Sequence, residues 1–245
     1  MKLSSPLRKQ MWSGEAIHAW LASFEEWQSL AGRLVHLLNG PELERMRRFK
    51  SLELAERYAA GRGLLRELLG GYLEVPADRV EIETNKYGKP EISSCHAKSI
   101  FFNLAHTDEF VLYGFSSSNR LGVDIENILP GPILPNEIRR VLSKNEIEAW
   151  EKLPESEQGA SFFQTWVRKE AVLKALGVGL AIEPATFSVG FAPHIPPLRI
   201  GTDLLRVCDL TVKGPTRVAI ALVGGEISEV SCYLAAGSSY SLTST

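Results

Sequence analysis

The sequence predicts an α+β fold made of two halves. Strand-like and helix-like segments are mixed within residues 1–117 and again within 118–235. Each stretch contains one long helical pattern, at 57–72 and at 162–176, together with several short strands. No internal sequence repeat is visible. We therefore assign 1–117 to an N-terminal half and 118–235 to a C-terminal half, and we expect the small, polar residues 236–245 to form a flexible tail.

Composition places the chain among globular proteins and argues against two classes of function. Its 245 residues are 44% apolar and 23% charged, and a net charge of −2 does not favour general nucleic-acid binding. The three cysteines show no metal-binding spacing and no even disulfide framework, which indicates reduced thiols in a cytoplasmic protein. No run of 18 apolar residues occurs, so we expect no membrane-spanning helix.

The N-terminal half is predicted to open with helices and to end with strands. Residues 15–21 fit either a strand or a helix. Pro41 follows a break at Asn39-Gly40 and is well placed to begin a helix. In the turn at 85–90, Gly88 is free to take a positive φ. Helices are predicted at 24–38, after Pro41 and at 57–72, and strands at 80–83, 100–104 and 110–115.

The C-terminal half is predicted to begin with an acidic strand at 121–125 and to continue through a proline-rich crossing loop. Ser143 is a typical N-cap for the second of two short helices. Gly177 stands where the long helix needs a left-handed C-cap. The predicted helices cover 136–142, 144–153 and 162–176, and strands follow near 186–191, 206–211, 218–223 and 229–234.

The acidic strand has the sequence LGVDIENI. Side chains alternate along a strand, so Asp124 and Glu126 share one face while Val123 and Ile125 share the other. Two carboxylates on one face repel each other unless water or a cation lies between them. The pattern therefore fits either a solvated strand face or a divalent metal site built from oxygen ligands.

The long helix carries the second charged pattern. Glu170 and Lys174 are four residues apart and lie on one helix face. An ordinary exposed ion pair, which contributes about 0.3–0.5 kcal/mol, would explain them. Combined with Asp124 and Glu126, however, Glu170 would supply a third carboxylate and Lys174 a nearby positive charge. That combination suits a metal ion that binds a phosphate.

The two motifs together resemble a known family. Gly122–Glu126 is similar to the G-[VI]-D-[VI]-E strand of the larger, surfactin-synthetase (Sfp) type of 4′-phosphopantetheinyl transferases, and Trp166–Lys174 is similar to their W-x-x-K-E-x-x-x-K helix. The resemblance extends over roughly residues 40–225. It implies a monomer of two similar α+β halves about a pseudo-twofold axis, with a strand at 15–21.

The resemblance also implies which residues bind coenzyme A. Lys89 lies in a segment that is similar to the family's G-K-P, and His106 ends FNLAH, which is similar to F-N-[IL]-S-H. The family serine is Ala105 here, so one hydroxyl donor to a phosphate is missing. The residues that the resemblance places at coenzyme A are Arg45, Arg57, Lys89, His106 and Lys174.

Three of these assignments have structural alternatives. The basic run around Arg45 and Arg57 fits a solvated helix face equally well. His106 would otherwise be a structural loop histidine. Glu146 matches an acidic position of the family, or is an ordinary helix residue.

The reaction implied by the resemblance moves phosphopantetheine from coenzyme A to a serine of an apo acyl or peptidyl carrier protein and releases 3′,5′-ADP. Asp124, Glu126 and Glu170 would hold Mg²⁺, and either Glu170 or a metal-bound water would take the serine proton. Lys174 would stabilise the leaving oxygen. Two alternatives stay open, namely a metal-dependent pyrophosphate hydrolase acting on coenzyme A and an inactive module that binds coenzyme A or the carrier. The sequence does not distinguish fatty acid, polyketide and nonribosomal peptide carriers.

Overall fold

Two β-sheets packed face to face, each covered by a long helix, form the core of the computed structural model. The structure describes residues 16–25, 31–98, 100–212, 214–234 and 242–244. Within these ranges the helices are α1 (Ala31–Leu34), α2 (Gly40–Arg47), α3 (Leu52–Leu73), α4 (Pro135–Val141), α5 (Lys144–Trp150) and α6 (Glu155–Leu176). The strands are β1 (Ile17–Ser23), β2 (Ile82–Thr84), β3 (Pro90–Ile92), β4 (Phe101–His106), β5 (Phe110–Ser116), β6 (Leu121–Asn127), β7 (Leu198–Ile200), β8 (Asp203–Val212), β9 (Thr216–Val223), β10 (Val230–Leu234) and β11 (Leu242–Ser244). In this described part of the chain, no helix has the length and apolar character needed to cross a membrane.

The two halves share one connectivity although their sequences show no repeat. The first runs β1–α3–β4–β5 with the strands in the order β1–β5–β4, and the second runs β6–α6–β8–β9 in the order β6–β9–β8. All these neighbouring strands are antiparallel. The expected α+β architecture of two similar halves is therefore confirmed. β10 follows the second half in the chain but pairs in parallel with β1, so it extends the first sheet.

The layers are held together by three apolar clusters. α3 packs on the outer face of the first sheet, and α6 packs on the outer face of the second. Between the sheets lies a third cluster, to which β6 contributes Val123 and Ile125. The other face of β6 packs against α6, and the contact between these two elements is one of the most extensive in the molecule. Asp124 and Glu126 belong to that face.

Several local predictions are confirmed. Residues 17–23 form a strand. Gly88 has φ 85°, and Gly177 ends α6 in the left-handed conformation with φ 70°. Ser143 caps α5 by accepting a hydrogen bond from the backbone N–H of Glu146.

Other boundaries differ from the prediction. α3 begins at Leu52 and α6 at Glu155, both earlier than predicted. The first turn of α6 is polar, and that of α3 carries the exposed Leu52 and Leu54, so neither turn continues the buried apolar stripe used to find the helix. In the predicted helix 24–38, residues 26–30 lie outside the described residues, and a short α-helix and a 3₁₀ turn cover 31–37. In the predicted flexible tail, Leu242–Ser244 instead pair with β8, whereas 235–241 and 245 lie outside the described residues.

The strand predicted at 186–191 is wrong. A 3₁₀ turn covers Pro184–Thr186, and an irregular segment follows it. The backbone groups of this segment bond to buried side chains rather than to a neighbouring strand. The Phe187 carbonyl accepts from Lys169 Nζ at 2.7 Å, and the Val189 N–H donates to Glu146 Oε1 at 2.8 Å.

A buried histidine network joins β1 to α3. His18, which is 4% exposed, lies with its Nδ1 2.8 Å from the Tyr72 hydroxyl, and Trp20 Nε1 donates to the same hydroxyl at 2.8 Å. Burial lowers the pKa of His18 to about 4. The fold thus favours the neutral imidazole.

We expect this histidine to make the fold sensitive to mild acid. The unfolded state, with the ordinary pKa of 6.5, takes up the proton first, so stability is lost as pH falls from about 6.5 toward 4. The loss from this group between pH 7.5 and pH 5 is about 2 kcal/mol. Urea unfolding of wild type and His18→Gln across this range measures it. The exposed His36→Gln serves as the control, and an equal pH slope in wild type and His18→Gln would contradict the expectation.

Candidate active site

The centre of the site is the place where α6 crosses β6 at backbone contact. Gly122 has no side chain, and a Cβ placed there would lie 2.1 Å from the Ala171 carbonyl oxygen and 2.3 Å from the Ala175 nitrogen. On the neighbouring strand, Ala219 and Ala221 pair with Asp124 and Gly122, so small side chains lie beside the crossing. The helix can therefore lie directly on the strand.

This crossing brings Lys174 to Asp124. Lys174 Nζ donates to Asp124 Oδ1 at 2.6 Å. Asp124 is only 4% exposed, and its Oδ2 has no hydrogen-bond partner among the described residues. Burial raises the pKa of Asp124 to about 7, with Lys174 opposing the rise and with Glu126 and Glu170 adding to it. The expectation of a solvated strand face is therefore wrong for Asp124.

The other two acidic residues flank this pair. Trp166 Nε1 donates to Glu126 Oε1 at 3.4 Å, and burial raises the pKa of Glu126. Glu170 is half-buried on α6. The ordinary helix ion pair considered for Glu170 and Lys174 is not formed, because the ion pair found for Lys174 among the described residues is the one with Asp124.

The three carboxylates fit a hard cation in chemistry but are not gathered into a closed cage. Within residues 16–25, 31–98, 100–212, 214–234 and 242–244, no group of three His, Cys, Asp or Glu side chains is set to hold a metal ion. Two observations nevertheless favour a cation here. The buried Asp124 Oδ2 lacks a partner, and carboxylate oxygens are the ligands that Mg²⁺ prefers.

Two cavities lie along a groove beside this centre. The lysine cavity, about 340 Å³, is lined by Lys89, Glu170 and Lys174. The arginine cavity, about 420 Å³, is lined by Arg45, Arg57, Arg62 and His106 together with aromatic side chains. Both cavities share the walls formed by Pro90 and Leu104, so they are adjacent. All five residues predicted to bind coenzyme A line one or the other.

Lys89 has a structural role as well as a place in the lysine cavity. Its Nζ donates to the carbonyls of Lys174 at 2.7 Å and Leu121 at 3.0 Å, and burial lowers its pKa to about 8. Asn85 Nδ2 donates to the Gly177 carbonyl at 3.3 Å. The 85–90 turn therefore satisfies carbonyls that the C-terminus of a helix leaves free, and it binds the two halves together beside Lys174.

The FNLAH motif divides between two faces of β4. His106 is exposed and lines the arginine cavity, as does Leu104. Ala105 points the other way, is 5% exposed and packs in the cluster between the sheets. The expectation that its side chain stands at a phosphate is therefore wrong. Asn103, which the sequence analysis did not single out, accepts a hydrogen bond from the Val123 N–H at 2.9 Å and links β4 to β6.

Arg45 and Arg57 are held by aromatic rings at the arginine cavity. The Arg45 guanidinium lies 5.5 Å from the centre of the Tyr58 ring, and Arg57 lies 5.6 Å from the centre of the Phe24 ring. Arg57 also donates to Glu53 at 2.8 Å. Arg57 is thus half-buried, whereas Arg45, Arg47 and Arg48 are exposed, as the solvated-face alternative predicts.

A third cavity lies on the far side of Glu126. It has a volume of about 560 Å³ and lies between α6 and the loop that follows β6. Its walls are mostly apolar, with Phe162, Phe163 and Trp166 on the helix side. Arg140 contributes a positive charge and Glu137 a negative one. Glu126 lines this apolar cavity, whereas Glu170 lines the lysine cavity.

Glu146 belongs to a buried support behind the site rather than to the site itself. It is 3% exposed and accepts from Lys169 Nζ at 2.5 Å, while Lys169 also donates to the carbonyls of Val141, Pro184 and Phe187. The reading of Glu146 as an ordinary helix residue is therefore wrong. The S-x-x-E capping box at 143–146 was visible in the sequence, but the partner 23 residues away was not.

Comparisons with known proteins match both halves of the chain. A family model described as the 4′-phosphopantetheinyl transferase superfamily matches residues 120–223, and a model described as 4′-phosphopantetheinyl transferase, N-terminal, matches residues 18–117. These two matches correspond to the two halves of the fold.

Individual relatives cover most of the chain. The 4′-phosphopantetheinyl transferase HetI of Nostoc sp. is 34% identical over 168 residues, which is 68% of this chain and 71% of that protein. The 4′-phosphopantetheinyl transferase ffp of Bacillus subtilis is 30% identical over 66% of this chain and 70% of its own length. The 4′-phosphopantetheinyl transferase Sfp of Bacillus subtilis is 29% identical over 64% and 68%.

Proposed function

Because the chain belongs to the 4′-phosphopantetheinyl transferase superfamily and is a 4′-phosphopantetheinyl transferase, we propose that it is an Sfp-type, Mg²⁺-dependent enzyme that modifies a serine of an apo acyl or peptidyl carrier protein. Coenzyme A is the donor and 3′,5′-ADP the product. One observation carries the proposal. The ion pair between the buried Asp124 and the half-buried Lys174 lies where the cationic groove meets the acidic face of β6.

The groove orients the donor. The adenosine end of coenzyme A with its phosphate lies in the arginine cavity, near Arg45, Arg57 and His106. The pyrophosphate then lies in the lysine cavity beside Lys174. Binding that aligns the reacting groups supplies much of the acceleration in such transfers.

The transfer step breaks one phosphorus–oxygen bond and forms another. The serine hydroxyl oxygen attacks the β-phosphorus, and the bond to the oxygen of 3′,5′-ADP breaks. Glu170 takes the serine proton. Lys174, held in place by Asp124 at 2.6 Å, stabilises the charge on the leaving oxygen.

Asp124, Glu126 and Glu170 would hold the Mg²⁺ ion, whose contribution is to neutralise charge on the pyrophosphate. The carboxyl groups of Asp124 and Glu126 are disfavoured as anions by burial, so a cation would relieve a real electrostatic cost.

The acceptor approaches from the opposite side. The apolar cavity opens next to Glu126, and its aromatic walls suit the apolar face of a small helical protein. We propose that the enzyme acts as a monomer, as the family resemblance implies.

The test is incubation with coenzyme A, MgCl₂ and a panel of apo carrier proteins, followed by intact-mass measurement. The expected result is a carrier that gains one phosphopantetheine, with no gain when its acceptor serine is replaced by alanine. Consumption of coenzyme A without carrier modification would indicate a pyrophosphate hydrolase instead. Binding of coenzyme A with neither outcome would indicate an inactive binding module.

A further inference from the structure

A glutamate on α2 holds two arginines of α3. Arg62 Nε donates to Glu42 Oε1 at 2.6 Å, and Arg66 Nε donates to Glu42 Oε2 at 2.7 Å. Glu42 is 6% exposed and also accepts from the Asn39 N–H. Burial alone would raise the pKa of Glu42, but the bonds from Arg66, Asn39 and Arg62 hold it below the ordinary value. The carboxylate is therefore charged and both of its oxygens are occupied.

The two arginines differ in what they do with the rest of the guanidinium. Arg66 is fully buried, and its Nη1 donates to the Val80 carbonyl at 2.8 Å. Arg62 lines the arginine cavity with a side chain that is 19% exposed. Its two Nη nitrogens make no hydrogen bond to any residue in the described ranges. Arg62 is thus held through Nε while its terminal donors remain available.

Charge neutrality does not require Arg62. The Glu42 carboxylate is already balanced by the buried Arg66, so the trio carries a net charge of +1. Arg62 therefore adds a positive charge at the cavity wall that an anion could balance. The arginine cavity is also lined by Arg45, Arg57 and His106 and by one carboxylate, Asp108, which lies 3.7 Å from Arg57. Because the arginines outnumber this carboxylate, the cavity is the place where such an anion would lie.

We propose that Arg62 binds the 3′-phosphate of coenzyme A and sets the preference for coenzyme A over its 3′-dephospho form, with Glu42 as the residue that positions Arg62. The inference rests on the proposed function. Since the pyrophosphate must lie beside Lys174 to react, the remaining phosphate lies at the other end of the groove. A planar guanidinium is suited to this task, because Nε can bind Glu42 while the Nη edge binds a phosphate.

Steady-state kinetics with coenzyme A and with 3′-dephospho-coenzyme A test the proposal. Arg62→Gln should raise KM for coenzyme A by about 10–100-fold. Its KM for the dephospho donor and its kcat should change little, because the lost contact is remote from the reacting phosphorus. Arg48→Gln removes the same charge from an exposed arginine that does not line the cavity, and it should leave the ratio of the two KM values unchanged.

Arg62→Lys keeps the positive charge but loses the planar guanidinium, so it should raise KM for coenzyme A by a smaller factor. This variant remains informative if Arg62→Gln does not fold. Equal loss with both donors would mean that Arg62 only supports the fold, and would overturn the inference. So would a wild type that does not discriminate between the donors.

Calorimetric titration with 3′,5′-ADP and with 5′-AMP separates this inference from the proposed function. If the wild type transfers from neither donor, the proposed function fails, yet a preference for 3′,5′-ADP that is lost in Arg62→Gln would still support Arg62 as the phosphate-binding residue. An equal preference for 3′,5′-ADP over 5′-AMP in wild type and in Arg62→Gln would overturn the inference about Arg62.

Discussion

Asp124→Asn is expected to reduce carrier modification by at least about 10³-fold while the protein remains folded. The change keeps the volume of a side chain that is 4% exposed, so it creates no cavity beneath α6. It removes the charge that holds Lys174 Nζ at 2.6 Å and that would bind the metal. Because a buried carboxylate is costly, the free energy of unfolding should stay the same or rise. Alanine would be a poorer test at this buried position.

The measurement combines turnover by intact mass with urea unfolding, and it adds a titration of Mg²⁺ in the presence of coenzyme A. Asp203→Asn is the matched control, since Asp203 is a carboxylate on the same sheet that pairs with Arg120 away from the groove. Turnover within about tenfold of wild type would remove Asp124 from the reacting centre.

Gly122→Ala is expected to lower the free energy of unfolding by at least about 3 kcal/mol and to abolish activity. The added methyl would lie 2.1 Å from the Ala171 carbonyl oxygen and 2.8 Å from the Lys174 carbonyl carbon. These are backbone atoms of a helix, so they cannot move aside as a flexible side chain would. α6 must shift away from β6, and Lys174 would then leave Asp124.

Thermal unfolding should show a fall in Tm of about 6–12 °C for a chain of this size. Gly159→Ala in the same helix is the control, because no heavy atom lies within 4 Å of its added Cβ. Gly159→Ala should raise the free energy of unfolding by about 0.5–1 kcal/mol, because alanine has a higher helix propensity than glycine. A Gly122→Ala protein that melts with the wild type would show that the strand and helix are not in close contact.

The sequence alone was enough for the local features. The long helix with Gly177 as its cap, the Ser143 cap and the strand at β6 depend on periodicities and terminal residues that act over a few positions. The spacing of the charged residues also predicted that Asp124 and Glu126 share one face of β6. Two halves were predicted from one long helix in each, and their shared connectivity became visible only in the sheets.

Tertiary structure decided the partners. Helical spacing offered Glu170 as one possible partner of Lys174, yet Gly122 lets α6 approach β6 so closely that Lys174 pairs with Asp124. The family resemblance assigned Ala105 to a phosphate, but alternation along β4 places it between the sheets. Glu42 and Arg66 are 24 residues apart in the sequence, and no local pattern predicts that they pair. They pair in the fold because an unpaired buried charge is costly.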